Sequence, residues 1–138
     1  MKPPCEIVVK YLLPTLRALI AKEISERYGL KQEDSARKLG ITQSAVSYYL
    51  SGSRGAIDIR EHGATVLREN PRVKSAVKEI ASAIAEDRFT TIQVIQALCE
   101  TCAALRSTDL CRIHMRLLPS IGENCNLCRV LFKATNQT

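Results

Sequence analysis

Gln32-Glu33-Asp34-Ser35-Ala36-Arg37-Lys38-Leu39-Gly40-Ile41-Thr42-Gln43-Ser44-Ala45-Val46-Ser47-Tyr48-Tyr49-Leu50-Ser51-Gly52 reads as two short helices meeting across a glycine turn. Helices crossing at roughly a right angle over a short turn need a residue that tolerates positive φ, and Gly40 supplies it. They also need a small side chain where their backbones approach, a place Ala36 fills. The spacing predicts a first helix over about Gln32 to Leu39 and a second over about Gln43 to Leu50, with Thr42 capping the second through its hydroxyl. Leu39, Ile41, Val46, Tyr49 and Leu50 are placed to seal the angle from inside.

Outward from this unit the pattern stays helical. Ile7, Val8, Tyr11, Leu12, Leu16, Leu19, Ile20 and Ile24 recur at helical spacing, with Pro14 as a kink or a fresh start and Gly29 as the stop. Ser51 to Gly55 reads as a loop. Asn70 and Pro71 open a long helix to about Arg88, and Thr90 or Thr91 caps the next, which runs through Cys99 and Cys102 towards Arg106. Shorter pieces follow near Asp109 to Leu118 and Asn124 to Phe132. No stretch alternates as a half-buried strand does, and aromatic content is 4% with no Trp. The expected fold class is all-α: an N-terminal helix-turn-helix domain over residues 1–60, a linking or dimerisation helix region over 61–90, and a helical Cys-rich module over 91–138.

On the second helix Val46, Tyr49 and Leu50 share one face, leaving Gln43, Ser44, Ser47 and Tyr48 on another that is polar but uncharged. Such a face suits a major groove: Gln pairs bidentately with adenine, Ser donates or accepts, and a Tyr ring packs on a thymine methyl. Charge placed elsewhere then holds the phosphates. Over about Val9 to Gly55 the chain resembles the phage repressor and Cro family of helix-turn-helix proteins, also called the xenobiotic-response-element family. The resemblance implies that Gln32 contacts backbone phosphate, that Gln43, Ser44 and Tyr48 read bases beside Thr42 and Ser47, and that Arg54 lies near phosphate. It also implies a palindromic double-stranded operator and a homodimer, with half-sites about 34 Å apart.

The 138 residues are 46% hydrophobic and 25% charged, the mixture of a small globular protein. Twenty Lys and Arg against 14 acids give +6, which favours an anionic partner. Residues 1–60 carry ten of those cations and six acids, a modest excess spread along the segment. Lys10, Arg17, Lys22 and Glu23 interrupt every early apolar run, so no membrane association is expected. No signal peptide is legible, and a cytoplasmic protein is the expectation. In that compartment clustered cysteines more often bind metal or sense redox state than form structural disulfides.

Five of the six cysteines lie in such a cluster: Cys99-Glu-Thr-Cys102, Cys111-Arg-Ile-His114 and Cys125-Asn-Leu-Cys128. On a helix the i, i+3 spacing sets both side chains on one face, close enough for two sulfurs to meet one metal. Asn124 as an N-cap would set Cys125 in a first turn, where the helix dipole favours thiolate. Cys99, Cys102, Cys125 and Cys128 would complete a zinc tetrahedron unaided. An iron–sulfur cluster also takes four thiolates and accepts irregular spacing, so Cys111 could replace one of them. The residues after each second cysteine, Ala103 and Arg129, continue a helix where zinc ribbons usually turn. The expectation is an iron–sulfur cluster, with zinc as the alternative and His114 as a possible ligand or support. Cys5 reads as a buried small residue, and Glu100 and Asp109 as solvated charges.

Together these features predict a sequence-specific DNA-binding regulator whose C-terminal cysteines sense redox or iron state. A repressor-type domain followed by a Cys-rich tail is similar to transcriptional regulators of archaea. A structural zinc site with constitutive DNA binding is the alternative. A dithiol redox enzyme fares poorly, because the βαβ setting of thioredoxin-like enzymes is missing and neither a phosphate loop nor a Ser/His/Asp arrangement is present. No enzymatic activity is expected. The apolar stripe Val73, Val77, Ile80, Ala81 and Ile84 fits either the domain core or a dimer seam.

Overall fold

The computed structural model describes residues 3–51, 62–106, 108–122 and 124–131. Among them the chain is helical, with no strand. Helices α1 (Pro4–Ile7) and α2 (Leu13–Tyr28) are joined by a π-helical stretch, Val8–Leu12, with helical backbone angles at the junction. Pro14 explains that stretch. It has no N–H to donate and its ring crowds the preceding turn, so the helix widens rather than breaks. Gly29, at φ 64, ends α2.

α3 (Gln32–Leu39) and α4 (Gln43–Leu50) have the bounds that the sequence predicts. Gly40 takes φ 68, and behind it the Gly40 N–H bonds to the Arg37 carbonyl and the Ile41 N–H to the Ala36 carbonyl. This paired closure satisfies carbonyls that the end of α3 would otherwise leave open. Ser35 and Ala36 are buried, so two small residues, not one, allow the close approach. Val46 is fully buried, while Leu39, Ile41, Tyr49 and Leu50 are half-buried. α2 packs against both α3 and α4.

α5 (His62–Glu69) has no counterpart in the sequence reading, and its Leu67 is fully buried. Asn70 then caps α6 (Pro71–Ala85), its Oδ1 accepting from the Arg72 and Val73 amides at 2.8 and 3.4 Å. α6 stops at Ala85 rather than near Arg88. Asp87 adopts φ 54, and its N–H and that of Arg88 bond back to the Ile84 and Ala83 carbonyls. Thr90 and Gln93 form a reciprocal capping box on α7 (Thr91–Leu105). α8 (Asp109–Leu117) and a 3₁₀ turn at Pro119–Ile121 follow. α9 (Leu127–Leu131) starts three residues beyond Asn124.

One apolar cluster joins these elements. It takes Tyr11, Leu12, Leu16 and Ile24 from the first long helix, Leu67 from α5, Val73 and Ile80 from α6, Leu105 from α7, and Leu110 and Ile113 from α8. The whole α6 stripe, Val73, Val77, Ile80, Ala81 and Ile84, is buried in this cluster of its own chain. That settles the two readings of the stripe in favour of core. No helix among the described residues is long and apolar enough to cross a membrane.

Candidate nucleic-acid interface and thiol cluster

The first candidate surface is α4. Its start is fixed by Thr42, whose Oγ1 accepts from the Ala45 amide at 3.1 Å, and its position by Val46 beneath. With that side anchored, Gln43, Ser44, Ser47 and Tyr48 all lie exposed. Tyr48 is held edge-on to Tyr49 at a centroid distance of 6.2 Å. Gln32 stands half-buried at the first turn of α3. Exposed Lys31 and Arg37 flank this unit, Arg37 pairing with Asp34 at 3.3 Å. Lys38 reaches Asp87 at 2.6 Å, tying α3 to the end of α6. Arg54 lies outside the described residues.

The second candidate surface is built around Arg106, the C-cap of α7. Cys102 stands one turn before it on the same helical face. The guanidinium donates to the Cys5 thiol at 3.6 Å and also hydrogen-bonds Cys102. Burial alone would lower the Arg106 pKa, but these bonds and the field of the two sulfurs outweigh it and raise the value. The Arg106 carbonyl, in turn, accepts the Cys111 thiol. Cys5 is therefore exposed and shares a partner with Cys102, not a buried residue standing apart.

Cys111 belongs to a further group with Cys125 and Cys128. It is half-buried on α8, beside a cleft of about 230 Å³ that Cys125, Met115 and Arg129 also line. Desolvation, then the field of Cys128 and its hydrogen bond, then the field of Cys125, push the Cys111 thiol up to about 11. Arg129 pulls in the opposite direction. Crowding of this kind disfavours thiolate in the free protein, and a bound cation would reverse it.

The six cysteines thus divide differently from their sequence pairs. Cys102 goes with Cys5, Cys111 goes with Cys125 and Cys128, and Cys99 is exposed on α7. Cys125 precedes α9 instead of opening it, so the dipole argument does not apply to its thiol. His114 is buried with Leu110 and Ile113 on the core side of α8. Among the described residues no three His, Cys, Asp or Glu side chains are gathered as a metal ion requires. The described arrangement does not hold a closed four-ligand set.

Asp109 is a second correction. Its side chain is 13% exposed, accepts from the Asn70 amide group and pairs with Arg112 at 3.4 Å, so it joins the start of α6 to the start of α8. Its place directly before an apolar helical run was the available signal. Glu100 is exposed and accepts from Gln96 at 2.9 Å.

No protein-family model matches the chain, and no curated protein or solved structure matches it significantly.

Proposed function

We propose that this protein is a sequence-specific DNA-binding regulator that reads a major groove through α4. The observation carrying the proposal is the exposed, uncharged face of Gln43, Ser44, Ser47 and Tyr48 on a helix that is capped at its start and buried on its opposite side. Short polar groups held rigidly near a helix start meet the geometric needs of base reading. Lys31, Arg37 and Arg54 would supply phosphate contacts, which position the helix without selecting sequence.

The same reading takes the protein as a homodimer on a palindromic operator. With the α6 stripe committed to the core, α7 offers the surface for a second copy. Ile92 and Ile95 are 76% and 54% exposed, and Glu100 is the one charged residue in the helix of 15. Depletion of charge around exposed apolar side chains is the compositional mark of an interface centre.

Cys111, Cys125 and Cys128 are the residues to which an iron–sulfur cluster or zinc reading attaches, with Cys99, Cys102 or His114 needed to complete either set. The described side chains alone do not close that set. An anaerobic absorption spectrum with iron, sulfide and zinc analysis separates the cases. Stoichiometric iron and sulfide support a cluster sensor, and zinc in a colourless protein supports a structural site.

The test of the DNA reading is fluorescence anisotropy at one fixed salt concentration on a duplex selected by the protein. Gln43→Ala should lose about 1–3 kcal/mol on that duplex and relax preference at one base pair, whereas Arg54→Ala should weaken all sequences alike. Uniform weakening by Gln43→Ala would count against base reading by this face.

A further inference from the structure

We propose that Cys5 and Cys102 form a peroxide-reactive thiol pair, with Arg106 as its positioning residue, and that the pair closes into a disulfide joining α1 to α7. Cys5 and Cys102 stand 97 positions apart in sequence yet meet at one guanidinium, which donates to Cys5 at 3.6 Å and bonds Cys102 one helical turn away. Arg106 brings the two elements together: it caps α7 one turn after Cys102, and its guanidinium reaches Cys5 on α1. Cys5 is exposed at the first turn of a four-residue helix, while Cys102 is packed against the core. The exposed thiol can therefore be attacked from solvent, and the protected one is held ready to resolve it.

The chemistry balances with a hydroperoxide as oxidant. The Cys5 thiolate attacks the nearer peroxide oxygen, the O–O bond breaks, and Cys5 becomes a sulfenic acid as hydroxide leaves. The Cys102 sulfur then attacks the Cys5 sulfur, the S–OH bond breaks, and water leaves with the Cys102 proton. Two sulfurs are each oxidised by one electron, and the released hydroxide takes up the proton that the Cys5 thiol lost on ionising, so hydrogen peroxide ends as two waters and an organic hydroperoxide as one alcohol and one water. Arg106 favours the first step by placing a fixed positive charge beside the attacking sulfur. DNA binding does not enter this scheme, and the scheme applies to the metal-free chain, in which the Cys102 sulfur is not taken as a ligand.

The test is non-reducing peptide mapping by mass spectrometry of the full chain, reduced, desalted without air and then treated with hydrogen peroxide. The expected first product is a Cys5–Cys102 crosslink. It should be lost in Cys5→Ser, and in Cys102→Ser a Cys5 sulfenic acid should accumulate and be captured by dimedone. Arg106→Lys should keep crosslinking and Arg106→Gln should slow it, with circular dichroism checking that both variants fold. A first disulfide joining Cys111 to Cys125 or Cys128, or oxidation of Cys5 without any link to Cys102, would overturn the proposal.

Discussion

Gly40 carries the turn between α3 and α4 through its backbone alone. A Cβ added there meets nothing within 4 Å, but φ is 68. Gly40→Ala should therefore cost about 1–2 kcal/mol of unfolding free energy from the left-handed backbone with no steric addition, and Gly40→Asn should cost less. Urea denaturation measures both, and equal losses for Ala and Asn would mean that side-chain contacts, not φ, set the penalty. The thiols differ in a way equally open to measurement. Cys5 and Cys99 are exposed, whereas Cys111 is half-buried and pushed up to about 11. Its thiolate fraction near pH 8 is small, so iodoacetamide should label Cys5 and Cys99 well before Cys111, as peptide mass spectrometry would show. Raising pH towards 11 should narrow the gap, since the reactive form of Cys111 becomes populated there. At this scale the sequence was partly legible. The positive φ of Gly40 and the Thr42 cap follow from residue type and position. The burial of Asp109 and the pairing of Cys5 do not, because each depends on a partner at least 39 positions away.

α6 commits its apolar stripe to the core, whereas α7 leaves Ile92 and Ile95 exposed. Ile80 is 1% exposed in the core, and Ile95 is 54% exposed. Ile80→Ala should lower unfolding free energy by about 2–5 kcal/mol and leave oligomeric state unchanged. Ile95→Lys should leave the unfolding midpoint of the monomer nearly unchanged and shift a dimer towards monomer in analytical ultracentrifugation. The reverse assignment of the two effects would return the dimer seam to α6. Long amphipathic runs and their caps were readable: α3 and α4 keep their expected bounds because Gly40, Thr42 and the buried Val46 act locally. α5 escaped notice because a short segment with Leu67 as its fully buried anchor has too little periodicity to stand out. α9 starts late because Asn126, not Asn124, provides the carbonyl that opens it, accepting from Val130 at 3.0 Å. The sequence left Pro14 as a kink or a start. The third outcome, a π-helical stretch within one continuous helix, keeps Tyr11 and Leu12 in the core just ahead of Pro14.

Across the whole molecule, the expected three segments contribute side chains to one core, and this is where spacing ceased to inform. Cys-x-x-Cys and Cys-x-x-His pairs identify residues that share a helical face, but packing determines which faces meet. Here α1 meets α8, and Arg106 stands between the Cys5–Cys102 pair and the Cys111 thiol. The +6 net charge says little about where a polyanion would sit, since the proposed reading face of α4 carries no charge. Recognition through that face is the central claim. Its most direct measurement is selection of duplexes from a randomised pool by the full chain at one salt concentration, in parallel with Gln43→Ala. Enrichment of a symmetric motif by the parent chain, with preference at a single position in each half-site relaxed by the variant, is the expected result. No enriched motif, or the same motif enriched unchanged by Gln43→Ala, would contradict base reading by α4.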